Sequence, residues 1–191
     1  MSSSLSPSQL QSLRTAIDSE TDPDFVTYRT NGQSSLMRDW FNSPHATVKA
    51  WDSNASWEAI QNAIEYAKYT PSTANIPIDT TGTNKLLAIL IKLTVQQNML
   101  IGMQQRLDAT DSGTITALLD TVTGIPSGAG GSVVQPGGAQ GVNVAAACTR
   151  PALRAEVVFG GSDVVNGGVT AKLLTRPGTI TDLDIGAALE L

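Results

Sequence analysis

Apolar residues fall along this chain in short stretches of helical period, separated by turn-forming residues. The first stretch is the clearest. Ser6, Pro7 and Gln9 are spaced as an N-cap, a first helical residue and the closing member of a capping box. Leu5 and Leu10 stand where a hydrophobic staple needs them. Leu10, Leu13 and Ile17 give one apolar stripe, with Arg14 and Asp18 off it. Asp22-Pro23 predicts the start of a second short helix and Asn31-Gly32 its end. Ser34-Ser35 predicts the cap of a third, carrying Leu36, Met37, Trp40 and Phe41 and stopped by Ser43-Pro44. Ala46 to Trp51 alternates loosely and predicts a short strand. Ser53-Asn54 precedes a further helix with Trp57, Ile60, Ile64 and Ala67 on one face, ended by Thr70-Pro71.

The longest predicted helix runs from about Asn84 to Leu107, roughly 36 Å at 1.5 Å per residue. Its first half (Leu86, Leu87, Ile89, Leu90, Ile91, Leu93) is apolar nearly all round, so it is buried on more than one side, within this chain or against a neighbouring subunit. A short helix with Ile115, Leu118, Leu119 and Val122 follows. Gly124 to Gly141 then holds seven glycines and two prolines in eighteen residues, a long loop that is either functional or mobile. Ala145 to Phe159 predicts a return to helix, kinked or restarted at Pro151. Val165-Asn166-Gly167-Gly168-Val169 predicts a hairpin, Asn-Gly being suited to a type I′ turn. Thr181 and Asp184 predict the cap of a final helix carrying Leu183, Ala187 and Leu189, with Ile185 beside them. No repeat and no domain boundary stands out. The expected fold is a single domain over residues 1–191, mainly α. It would be a helical bundle with one long central helix, a small β-hairpin or sheet, the glycine-rich loop at 124–141 and a docking segment at 179–191.

Composition narrows the classes of function. The 191 residues suffice for one domain, and 41% hydrophobic residues exclude a wholly disordered chain. A mean hydropathy of −0.02 excludes a membrane bundle. The apolar run from Leu86 to Val95 is broken by Lys92 and ends at Gln96, too soon to cross about 30 Å of hydrocarbon. The opening residues lack the basic and apolar regions of a signal peptide. Charged residues are 15% of the chain, well under the usual quarter or so. So poorly charged a surface suits one that becomes covered in an assembly. The net charge of −5 argues against a protein that grips nucleic acid by its phosphates. One Cys excludes a disulfide framework, and one His excludes most zinc sites.

The candidate chemistry is thin. Asp18, Glu20, Asp22 and Asp24 alternate like the start of a calcium loop, but Pro23 and Arg29 stand where that loop needs Gly and Glu. The glycines at 128, 130 and 131 lack the following Lys-Ser/Thr of a phosphate loop. His45 has no acidic or Cys partner nearby in sequence, and there is no GxSxG elbow. Cys148, among alanines, reads as a small core residue, and Trp40, Trp51 and Trp57 as core. Arg150 and Arg154 share one face of the predicted helix with Glu156 close by, an ordinary solvated or ion-paired face. No enzyme, cofactor or metal site is expected.

Three stretches carry a resemblance: Val122 to Gly131, Thr149 to Phe159 (Thr-Arg-Pro-Ala-Leu-Arg-Ala-Glu-Val-Val-Phe) and Gly178 to Leu189 (Gly-Thr-Ile-Thr-Asp-Leu-Asp-Ile-Gly-Ala-Ala-Leu). With Leu10 to Ile17 and Val48 to Trp51, the chain resembles small virion proteins of tailed bacteriophages, and among them the head-to-tail adaptor or connector of the neck. The resemblance implies a homo-oligomeric ring of about twelve copies. The ring would sit between the portal protein and the next tail component at the head–tail junction of the virion, after synthesis in the host cytoplasm. DNA would pass through its channel without specific binding, and no membrane would be involved. The alternatives are another phage structural role (tail tube, tail completion or capsid decoration) or a small ligand-binding module. Candidate interface residues are Arg150, Arg154, Leu183, Ile185, Leu189 and Leu191. Leu183, Ile185, Leu189 and Leu191 would dock the last segment on another chain or fold it back on its own.

Overall fold

The computed structural model describes residues 3–63, 106–123 and 139–191. In chain order its elements are α1 (Pro7–Ser19), α2 (Pro23–Thr30), α3 (Ser34–Phe41), β1 (Pro44–Trp51), β2 (Ala55–Ser56), α4 (Trp57–Ala63) and β3 (Arg106–Leu107). There follow α5 (Ser112–Thr123), α6 (Ala139–Ala147), β4 (Thr149–Leu153), α7 (Arg154–Val158), β5 (Gly161–Asn166), β6 (Val169–Leu174) and α8 (Asp182–Leu189). The chain divides into two compact units. The first comprises Met1–Ala50, Pro151–Val164 and Ala171–Leu191, the second Trp51–Arg150 and Val165–Thr170.

The first unit is built on capped helices. Both arms of the α1 capping box form: Ser6 Oγ accepts from Gln9 N at 3.3 Å, and Gln9 Oε1 from Ser6 N at 2.9 Å. Asp22 Oδ1 accepts from Asp24 N and Phe25 N to start α2, which ends at Asn31 before Gly32 at φ 65°. The cap of α3 is Gln33, one residue ahead of the predicted serines, and it makes no side-chain capping bond. The stripe of α1 buries Leu13 and Ile17 in a core shared with Phe25, Met37, Phe41, Ile180 and Ile185. Phe25 meets Phe41 edge-on at 5.3 Å and Trp40 at 5.7 Å. Helix α8 lies against α1 and α3.

The expected mainly α bundle is corrected by a four-stranded mixed sheet of order β4-β1-β6-β5. Strand β1 runs parallel to β6, with Ala50 opposite Lys172, and a two-residue turn joins β5 to β6. Helical periodicity misleads between Ala145 and Phe159, where the expected helix is interrupted by β4. Pro151 holds its predecessor Arg150 extended and removes a donor, both tolerated on the edge strand that β4 is. Arg150 and Arg154 therefore do not share a helical face: one is on a strand and the other begins α7. At the end of the long predicted helix, Arg106–Leu107 is a strand, antiparallel to Ala55–Ser56. The remainder of that helix, residues 84–105, lies outside the described residues, as do Ile64, Ala67, Thr70-Pro71 and residues 124–138 of the expected loop. The last residues of that loop, 139–141, open α6.

In the second unit α4 and α5 both pack on α6, burying Ile60, Ile115, Leu118, Val144 and Ala145. Asp111 Oδ2 accepts from Thr114 N at 2.7 Å and caps α5. Asp52 N donates to Cys148 O at 3.0 Å, and Asp52 O accepts from Ala109 N at 2.9 Å. The hairpin forms where expected, with its centre shifted by one residue. Gly167 (φ 56°) and Gly168 (φ 80°) are the two central residues, both with the positive φ of a type I′ turn.

Candidate functional site

Two wholly buried acids organise the first unit. Glu156 Oε2 accepts from Leu153 N at 2.7 Å, closing the first turn of α7, and Oε1 accepts from Gly178 N at 2.6 Å. One carboxylate thus joins the stretch 149–159 to the stretch 178–189. Asp184 does the same for the two ends of the chain. Its Oδ1 accepts from Ser3 Oγ at 2.6 Å and Ser4 N at 3.1 Å, and its Oδ2 from Thr181 N and Oγ1, both at 2.8 Å. Asn42 adds a third clamp, donating to Ile180 O at 2.8 Å and accepting from Ile180 N at 2.9 Å. Arg14 Nη1 donates to Leu189 O at 2.8 Å, capping the end of α8.

Burial acts to raise the Asp184 carboxyl. The hydrogen bonds from Ser3 and from Thr181 and Ser4 outweigh it and hold the pKa below the ordinary value. A carboxyl lowered in the folded state contributes stability that is full above its unfolded value of about 3.9 and is lost as pH falls through the folded value. Urea midpoints are therefore expected to fall as pH drops below about 4. The Asp184→Asn variant, less stable at neutral pH, should lose less over that range. Parallel pH profiles for the two chains would contradict this.

A cavity of about 340 Å³ opens in the same unit, lined by Ala16, Ser19, Glu20, Phe41, His45, Ala46, Arg154, Val157 and Val158. The Arg154 backbone is fixed by its N–H on Ser43 O at 3.1 Å, and its guanidinium carbon stacks 3.7 Å from the centre of the Trp40 ring. Arg154 Nε is buried and has no acceptor among the described residues. A buried donor left unpaired costs about 1–3 kcal/mol. His45 Nδ1 accepts from Thr47 N at 3.3 Å and Val48 N at 3.2 Å. Glu20 Oε1 is engaged by Thr21 N and Asp22 N at 2.9 and 3.1 Å. The arrangement offers a planar cation in no ion pair among the described residues, in a cavity lined by polar Ser19, Glu20 and His45 on one hand and apolar Phe41, Ala46, Val157 and Val158 on the other, suited to holding an anion that brings an apolar body with it.

The candidate interface residues are dispersed. Arg150, in the second unit, lies 3.9 Å from Asp52, and Arg154 lies in the cavity wall. Leu183, Leu189 and Leu191 are 46%, 37% and 64% exposed, whereas Ile185 is in the core of its own unit and offers nothing to a partner. The convergence of Glu20, Trp40, His45 and Arg154 was not legible in sequence, since these residues come from separate elements. Glu156 had a local signal, an acid three residues after a helix-opening position. Cys148 is buried as expected, and burial, with the Asp52 charge adding to it, pushes its thiol up to about 12. Iodoacetamide at about pH 8 should leave the folded chain unmodified and label it once in denaturant; rapid labelling of folded protein would contradict that burial.

Among the described residues no group of three His, Cys, Asp or Glu could hold a metal ion, and no helix is long and apolar enough to cross a membrane. Comparison with protein-family models, with curated proteins and with solved structures finds no match to this chain.

Proposed function

We propose that this chain is a structural virion protein of a tailed bacteriophage. It assembles as a ring between portal and tail, the head-to-tail adaptor, and leaves a channel for DNA. The observation that carries the reading is the contact between two of the stretches on which the resemblance rests. Glu156 of Thr149–Phe159 holds Gly178, the first residue of Gly178–Leu189, at 2.6 Å. Glu156 and Asp184, the two buried acids of those stretches, are both spent on backbone and hydroxyl donors. The shared residues therefore have a fold-defining role, as expected where kinship lies in architecture. The low charge content supports extensive covering in an assembly, and the net charge of −5 suits a channel that releases DNA.

Immunogold labelling of particles carrying an epitope-tagged chain tests the reading, together with images of the chain mixed with purified portal rings. The expected result is label at the head–tail junction and one added ring of density under the portal. Label along the tail tube or over the capsid face would assign another structural role, and absence from purified particles would remove the virion reading altogether.

A further inference from the structure

Among the described residues the first unit holds a cation in no ion pair, Arg154, and, elsewhere on its surface, an acid in none. Among the described residues Arg154 makes no ion pair and its Nε has no acceptor, although Glu20, His45 and Ser19 line the same cavity beside the apolar Phe41, Ala46, Val157 and Val158. A carboxylate with apolar neighbours would pair this guanidinium and cover Phe41, Ala46, Val157 and Val158. The acids beside exposed large apolar side chains are few. Asp182, next to Leu183, is held by Arg38 at 2.8 Å, and Asp184, on its other side, is buried in four hydrogen bonds. Asp163, two residues before exposed Val165, pairs with Lys172 at 3.0 Å. Glu190 remains, exposed between Leu189 and Leu191, with its side chain in no ion pair among the described residues. Residues 189–191 do not line the cavity of their own chain.

We propose that the Arg154 cavity receives the Leu189–Glu190–Leu191 edge of a second copy of this chain, with the Glu190 carboxylate on the Arg154 guanidinium and a flanking leucine against Val157 and Val158. The contact joins two different patches, so it is heterologous, the type of interface that generates rings when the rotation closes. Stacking on Trp40 holds the guanidinium plane, which leaves its N–H edge free for the fork-like pairing that carboxylates accept. The inference rests on the ring reading above for its second copy.

A charge exchange tests it. Self-association of the full chain is followed by sedimentation up to about 1 mM, the range of effective concentration inside an assembly. The variants are Arg154→Glu, Glu190→Arg and the double exchange. Each single variant is expected to weaken association by about 30-fold or more, and the double exchange to recover most of it. Glu190→Arg changes an exposed side chain, so it reports on the contact even if Arg154→Glu unfolds, and Arg154→Gln serves as the milder change in the cavity. Wild-type association in the single variants, no recovery in the double exchange, or a wild-type chain still monomeric at that concentration each overturns the inference. Label at the head–tail junction together with undiminished assembly of Glu190→Arg would discard the Arg154–Glu190 contact and leave the adaptor reading standing.

Discussion

Replacing Glu156 by alanine is expected to cost about 3–5 kcal/mol, as much as truncating a large buried apolar side chain. The carboxylate has no exposed surface and satisfies two backbone amides, Leu153 N at 2.7 Å and Gly178 N at 2.6 Å. Alanine leaves both donors without their acceptor and opens a void where the side chain stood. At about 2–4 °C per kcal/mol for a chain of this size, the melting midpoint should fall by roughly 10 °C. Glu156→Gln keeps the shape and one acceptor, but turns an amide NH₂ towards the other N–H, so its loss should be about half as large. Hydrogen exchange separates this from general loosening, because protection should fall first at the Leu153 and Gly178 amides. A Glu156→Ala chain that melts within a degree or two of wild type would show that the clamp contributes little.

The second large effect belongs to the hairpin turn. At Gly167, φ is 56°, and a Cβ would lie 2.9 Å from Ala145 Cβ, 3.0 Å from Leu119 Cδ2 and 3.1 Å from Gly141 O. Gly167→Ala therefore adds a crowding cost of about 1–3 kcal/mol to a left-handed backbone cost of about 1–2 kcal/mol. Gly32 supplies the control. Its φ is 65°, yet nothing lies within 4 Å of its Cβ position, so Gly32→Ala should bear the backbone cost alone. Denaturant midpoints of the two variants check the difference. Equal losses would mean that the second unit yields around the new methyl group.

Much of the first unit is legible in the sequence because its signals are local. The α1 capping box, the Asp22-Pro23 start, the Asn31-Gly32 end and the Thr181–Asp184 cap each involve residues within a few positions of one another. The strand from 149 to 153 is not, since Ala145 to Phe159 has a helical period and only its edge position in a sheet makes Pro151 acceptable there. Likewise the sheet as a whole escapes a periodicity reading. Its central neighbours β1 and β6 lie more than a hundred residues apart, and a parallel pairing leaves no turn to announce it.

The candidate site divides the same way. Arg154 and the acid-flanking leucines are visible as residues in the sequence, and so is the expectation that the end of the chain carries apolar side chains. The sequence cannot say that Ile185 turns into its own core while Leu183, Leu189 and Leu191 face outward, because a helix of eight residues takes its buried side from whatever it packs on. Nor does it say that Trp40 supplies the stacking face for Arg154, or that Glu156 reaches Gly178. Caps, turns and the left-handed glycines follow from the chain alone, since a few adjacent residues contain all their donors, acceptors and steric limits. The sheet order, the buried acids and the cation stacked on Trp40 were decided by tertiary structure, because their energies depend on partners that only folding brings within a few ångströms.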